Sequence, residues 1–147
     1  MAEYDLDRLV LIVTGTTLRA EDADRPLANR LADEVRKRLP AESGWRCLVI
    51  SDVYYINDED LRDCPVISVG GPGVNHLAGV FLRELSAALA IDGILLIQMD
   101  VALEDLRASI WGMDHEKTVE ALNTFIGKGY LDRFIQGVLR QSGETPV

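Results

Sequence analysis

Leu9-Val10-Leu11-Ile12-Val13 is an unbroken apolar run rich in β-branched side chains, closed by Thr14-Gly15. Strict alternation would mark a strand wet on one face, whereas a short continuous run marks a strand covered on both. A strand covered twice needs helices above and below it. This one segment therefore points to a layered α/β chain.

The rest of the sequence supplies the layers. Leu27, Leu31, Val35 and Leu39 recur every fourth residue with Ala28 and Ala32 on the same face. That spacing predicts a helix capped by Asp24, with Pro26 in its first turn and Pro40 as its stop, following a polar loop over residues 16–25. Trp45 to Ser51 reads as a second strand leading into the loop Asp52-Val53-Tyr54-Tyr55, and residues 57–63 read as one short helical turn. Val66-Ile67-Ser68-Val69 is a third strand that ends in Gly70-Gly71-Pro72-Gly73. Val74, Leu77, Ala78, Phe81, Leu82, Leu85, Ala88 and Leu89 follow at a 3.6-residue period, predicting one long amphipathic helix. Asp92-Gly93 turns the chain into a fourth strand, Ile94 to Met99, and Arg107 to Trp111 forms a fifth. The final region is helical through Val119, Leu122, Phe125 and Ile126, pauses at Gly127-Lys128-Gly129, and resumes through Leu131, Phe134, Ile135, Val138 and Leu139. Residues 141–147 read as a frayed polar tail.

The expected architecture is a single α/β domain over residues 1–147, a three-layer α/β/α sandwich of Rossmann or flavodoxin type with about five mostly parallel strands. Ile94–Met99 is the expected exception. If it lies beside Arg107–Trp111 it must run antiparallel, because residues 100–106 are too few for a crossover of roughly a dozen.

Composition narrows the function classes. With 48% apolar and 27% charged residues the chain is globular. Its net charge of −9 repels phosphate backbones and anionic headgroups, so neither nucleic acid nor a membrane surface is an expected partner. The cluster Arg36-Lys37-Arg38 complements a helix C-terminus. No apolar run approaches the roughly 20 residues of a membrane span. Met1 to Asp7 lacks the basic start of a secretion signal, which leads to the expectation of a cytoplasmic protein with Cys47 and Cys64 as reduced core thiols. Two cysteines and two histidines without close ligand spacing predict no metal site.

Parallel strands send every strand-to-helix loop to one edge, so loops distant in sequence converge there. The candidate ligand-binding residues are accordingly Gly15, Thr16 and Thr17 after the first strand, and Asp52 and Tyr54 after the second. Gly70, Gly71, Gly73, Asn75 and His76 follow the third, and Gly112 and Asp114 the fifth. Glycines let a backbone approach a ligand closely, and the helix after Gly73 presents free N–H groups; the same glycines also suit a tight turn with no ligand. Asn75 is suited to donate to a ligand or to cap the helix. His76 and His115 each start a helix, His115 beside Asp114, and imidazole with carboxylate is a pairing that acid–base chemistry uses. No GxSxG elbow or reactive-cysteine signature is present.

The stretch Val66 to Asn75, followed about 35 residues later by Ile110-Trp111-Gly112-Met113-Asp114 with Thr118 and Ala121, resembles a paired motif of archaeal S-layer protein modules. In that motif a strand ending in GGPxxN is followed by a strand ending in glycine and a helix bearing Thr and Ala; Trp111 stands where the pattern has a small residue. The resemblance implies two neighbouring strand-to-helix turns in one α/β module and no catalysis.

Function is expected to lie in a small-molecule or nucleotide ligand held by the four loops. The alternatives are an enzyme acting on a nucleotide or sugar through Asp52, Asp114 or His76, and an interaction domain whose glycines serve only the turns. No cofactor is identified, and a homo-oligomer is compatible with the sequence.

Overall fold

The computed structural model describes residues 5–92 and 94–143. The opening residues 1–4, Gly93 of the expected 92–93 turn and residues 144–147 of the expected tail lie outside the described residues. The elements in chain order are β1 (Leu9–Thr14), α1 (Leu18–Arg38), β2 (Arg46–Ser51), α2 (Asp52–Asn57), β3 (Val66–Val69), α3 (His76–Glu84), β4 (Ala87–Ile91), β5 (Leu95–Met99), β6 (Arg107–Gly112), α4 (His115–Gly127) and α5 (Tyr130–Gln141).

They build one sheet in the order β2-β1-β3-β6-β5-β4. The first four in that order are mutually parallel; β5 runs antiparallel to β6, and β4 antiparallel to β5. Every residue of β1 is buried, as its unbroken apolar run requires. Leu9, Leu11 and Val13 face Tyr55, Leu77, Phe81 and Leu85 of the α2–α3 layer. Val10 and Ile12 face the opposite layer, where α1, α4 and α5 contribute Leu31, Val35, Leu122, Phe125 and Phe134. The result is helices on both faces of a mostly parallel sheet, the α/β sandwich expected, and β5 takes the antiparallel direction that its short link to β6 imposes.

Three local expectations are corrected. There are six strands rather than about five, because the long helix expected through Leu89 stops at Glu84 and the chain turns into β4. Gln98 of β5 explains the stop: its side-chain Nε2 donates to the carbonyls of Phe81 and Leu85 at 3.1 and 2.8 Å, satisfying the helix end. Ala87 to Ile91 then gains a backbone ladder with β5, and tertiary pairing outweighs the helix preference of its alanines. The second correction is the start of α1. Thr17, not Asp24, caps it, accepting from the Ala20 N–H at 3.2 Å, so residues 18–25 are helix rather than loop and Pro26 lies in the helix interior. Third, Asp52 to Asn57 is a helix capped by Ser51, not a loop.

Cys47 and Cys64 are free and buried in the cores on opposite faces of the sheet. Burial pushes the Cys47 thiol up to about 12, and burial with the nearby carboxylates of Asp63, Asp7 and Asp58 pushes that of Cys64 up to about 11, which leaves both protonated at neutral pH. Among the described residues no helix is long and apolar enough to cross a membrane.

Candidate functional site

The parallel strands deliver the turns after β1, β2, β3 and β6 to one edge of the sheet, where they separate into a closed knot and an open crevice. The knot lies over β1 and β3. Asp52 is fully buried at the start of α2; its Oδ1 accepts from the Thr16 hydroxyl at 3.1 Å and the Val53 N–H at 2.8 Å. Its Oδ2 accepts from the His76 N–H at 2.8 Å, so one carboxylate ties together three turns and supplies negative charge at the start of α3. Asn75, also fully buried, caps α3 through Oδ1, which accepts from the Leu77 N–H at 3.0 Å. Its Nδ2 faces the Val13 carbonyl, the Ser68 hydroxyl and the Val69 carbonyl at 3.2, 3.0 and 3.0 Å. Gly15 packs against the Val74 carbonyl with no room for a side chain. Thr17 is engaged as the α1 cap. Tyr54 is exposed on α2, away from this knot.

The crevice lies over β3 and β6. It encloses about 210 Å³ between Gly71-Pro72-Gly73-Val74 on one side and residues 111–115 on the other, with Arg19, Asp24 and Thr118 completing the wall. Of the residues named from sequence, Gly71, Gly73, Gly112 and Asp114 meet here, whereas Gly15, Thr16, Asp52 and Asn75 meet in the knot. Asp114 caps α4, its Oδ1 accepting from the Lys117 N–H at 2.8 Å.

Asp24 is the residue that sequence reading missed. Placed between Ala20 and Ala28 at helical spacing, it falls on the buried stripe of α1 and is only 6% exposed. Gly70 makes room for it: this residue has φ +104°, and a Cβ there would stand 2.6 Å from the Asp24 Oδ2. Among the described residues no donor reaches the carboxylate with a hydrogen bond. Burial raises its pKa, while the nearby charges of His115 and Arg19 pull the other way. The signal was present in the i, i+4 relation of Asp24 to Ala20 and Ala28, but it becomes visible only once the helix start is set at Thr17.

A larger depression, about 510 Å³, opens at the opposite edge of the sheet. Its central charges are already matched, Arg107 bonding Asp105 through Nε and Nη2 at 2.8 Å each and pairing with Glu84 as well. Among the described residues no cluster of three His, Cys, Asp or Glu side chains is arranged to hold a metal ion.

The Asp24 geometry carries a stability prediction. A carboxyl whose folded pKa is raised binds its proton more tightly in the folded state, so stability falls as pH rises from the ordinary carboxylate range through the folded value. Asp24→Asn removes this penalty. In urea denaturation at pH 7 the variant is expected to be more stable than wild type by about 0.5–2 kcal/mol. The gap should close as pH falls below the ordinary aspartate value, where both forms are neutral in both states; a gap that stays constant with pH would show that Asp24 ionisation is not its cause.

Compared with protein-family models the chain matches none, and no curated protein matches it significantly.

Proposed function

We propose that this chain is a small-ligand-binding domain of Rossmann or flavodoxin type, nucleotides included among the ligand classes, with its site in the crevice over β3 and β6. The observation that carries this reading is Asp24, a residue only 6% exposed, whose carboxylate has no donor among the described residues and lies on the wall of an open crevice. A carboxylate on a side chain this buried is ordinarily paired within the fold, and one left open on a crevice, with burial raising its pKa, is the pattern of a functional site. The backbone N–H groups of Gly71 and Gly73, residues that line the same crevice, support the same reading, since among the described residues neither has a protein partner. A cytoplasmic setting is part of the proposal and is supported by the two free buried thiols.

A thermal-shift screen of nucleosides, nucleotides, phosphorylated metabolites and neutral metabolites tests it. At least one compound is expected to raise Tm in wild type and to lose most of that effect in Asp24→Asn. A screen without a hit would favour an interaction domain in which the glycines serve only the turns. The enzyme alternative now rests on Asp24 beside His115 rather than on Asp52, whose oxygens are occupied by three donors. Turnover of a screened hit, abolished by Asp24→Asn, would establish it.

A further inference from the structure

We infer that the crevice takes a neutral polyhydroxyl molecule of monosaccharide size, with its hydroxyls donating to Asp24. This deepens the proposal above and rests on the crevice being the ligand site. Size is the first argument. About 210 Å³ is below the roughly 300–1,000 Å³ of pockets that enclose drug-sized ligands, so a whole nucleotide would project out of it while a single sugar ring would be enclosed.

Charge is the second. An anion entering here meets Asp24 and Asp114 on the wall and the −9 field of the whole chain. A cation meets the Arg19 guanidinium, which lines the same crevice. What Asp24 lacks is therefore hydrogen-bond donors rather than a countercharge. A hydroxyl supplies a donor without adding charge, and it can also accept, which suits the unpartnered N–H groups of Gly71 and Gly73 in the same crevice. The third argument is the half-buried Trp111, which lines the crevice with its ring beside Gly71 and adds aromatic surface of the kind that suits the C–H side of a sugar.

Amide-resolved NMR titration of the full chain tests this with D-ribose, D-glucose and myo-inositol as neutral polyols. Adenosine tests a ribose carried within a nucleoside, and inorganic phosphate and methylammonium serve as charged comparators. At least one of the three polyols should shift the amides of Gly71, Gly73 and Gly112, with a Kd of about 1 mM or tighter. Asp24→Asn, confirmed folded by its own spectrum, should weaken that binding about tenfold or more, the scale of a lost hydrogen bond to a charged group. Phosphate or methylammonium binding at these amides more tightly than every polyol would overturn the ligand class and leave the crevice reading intact. Adenosine binding with no response to the three polyols would overturn the monosaccharide size. Polyol binding unchanged in Asp24→Asn would overturn the role of Asp24. If no probe moves these amides the inference falls, and if the thermal-shift screen is also blank the crevice reading falls with it.

Discussion

Gly15→Ala should lose most of the stability of the fold. A Cβ at this position would lie 1.7 Å from the Val74 carbonyl oxygen and 2.8 Å from its carbon, both backbone atoms. Neither can rotate aside, so the turn before α3 must move, and it is held by Asp52 and Asn75. The expected cost is about 4 kcal/mol or more, the exceptional end of single substitutions and a large part of the roughly 5–15 kcal/mol that stabilises a domain. In urea this corresponds to a midpoint lower by about 2 M at a typical slope. Gly73→Ala is the control: nothing lies within 4 Å of its added Cβ, and it should unfold within about 0.5 kcal/mol of wild type. Equal midpoints for Gly15→Ala and wild type would mean that the β1 turn and Val74 are not in contact.

Asn75→Ala is the second large effect expected. The substitution strips one acceptor from the start of α3 and the amide that faces Val13, Ser68 and Val69, leaving buried groups without partners. At about 1–3 kcal/mol for each buried group left unsatisfied, a total near 3 kcal/mol and a Tm lower by about 10 °C are expected. Asn75→Asp separates the two halves of the interaction. It keeps the capping oxygen but turns a second oxygen toward the Val13 and Val69 carbonyls, with only the Ser68 hydroxyl able to donate to it, so at pH 7 it should be at least as damaging as alanine. A calorimetric scan showing Asn75→Asp close to wild type would mean that the cap alone matters. Sequence places Asn75 equally well as a ligand donor or as a cap; in the structure its polar atoms are all engaged inside the fold.

What could be read from sequence followed from how local each signal is. The β1 run, the strand Val66–Val69 and the paired helices α4 and α5 carry their own periodicity and breaks, including Gly129 at φ +84° between the two helices. The antiparallel direction of β5 followed from chain length alone. β4 could not be read this way, because Ala88 and Leu89 continue the helical period of α3 and only Gln98, from a strand still to come in the sequence, ends that helix. The site divides along the same line. Loop convergence named Gly71, Gly73, Gly112 and Asp114, but it could not separate the knot from the crevice, since that depends on which turns touch across the sheet. Asp24 stayed hidden because Pro26 is an ordinary first-turn residue and here lies well inside the helix.

The position of β4 at the margin of the sheet has a colloidal consequence. Its sequence, Ala87-Ala88-Leu89-Ala90-Ile91, carries no charge and no proline, and beyond it the described residues place no further strand. A bare apolar margin of this kind is normally guarded by lysine, proline or a bulge that twists it away. Here the ladder with β5 does shift register between Ala87 and Leu89, but the guard of longest reach is the net charge of −9 borne by the rest of the molecule. Such a guard acts over about 10 Å in 0.1 M salt and about 3 Å in 1 M. The tolerance of this chain for concentrated salt is thus set by carboxylates that lie outside the strand they protect.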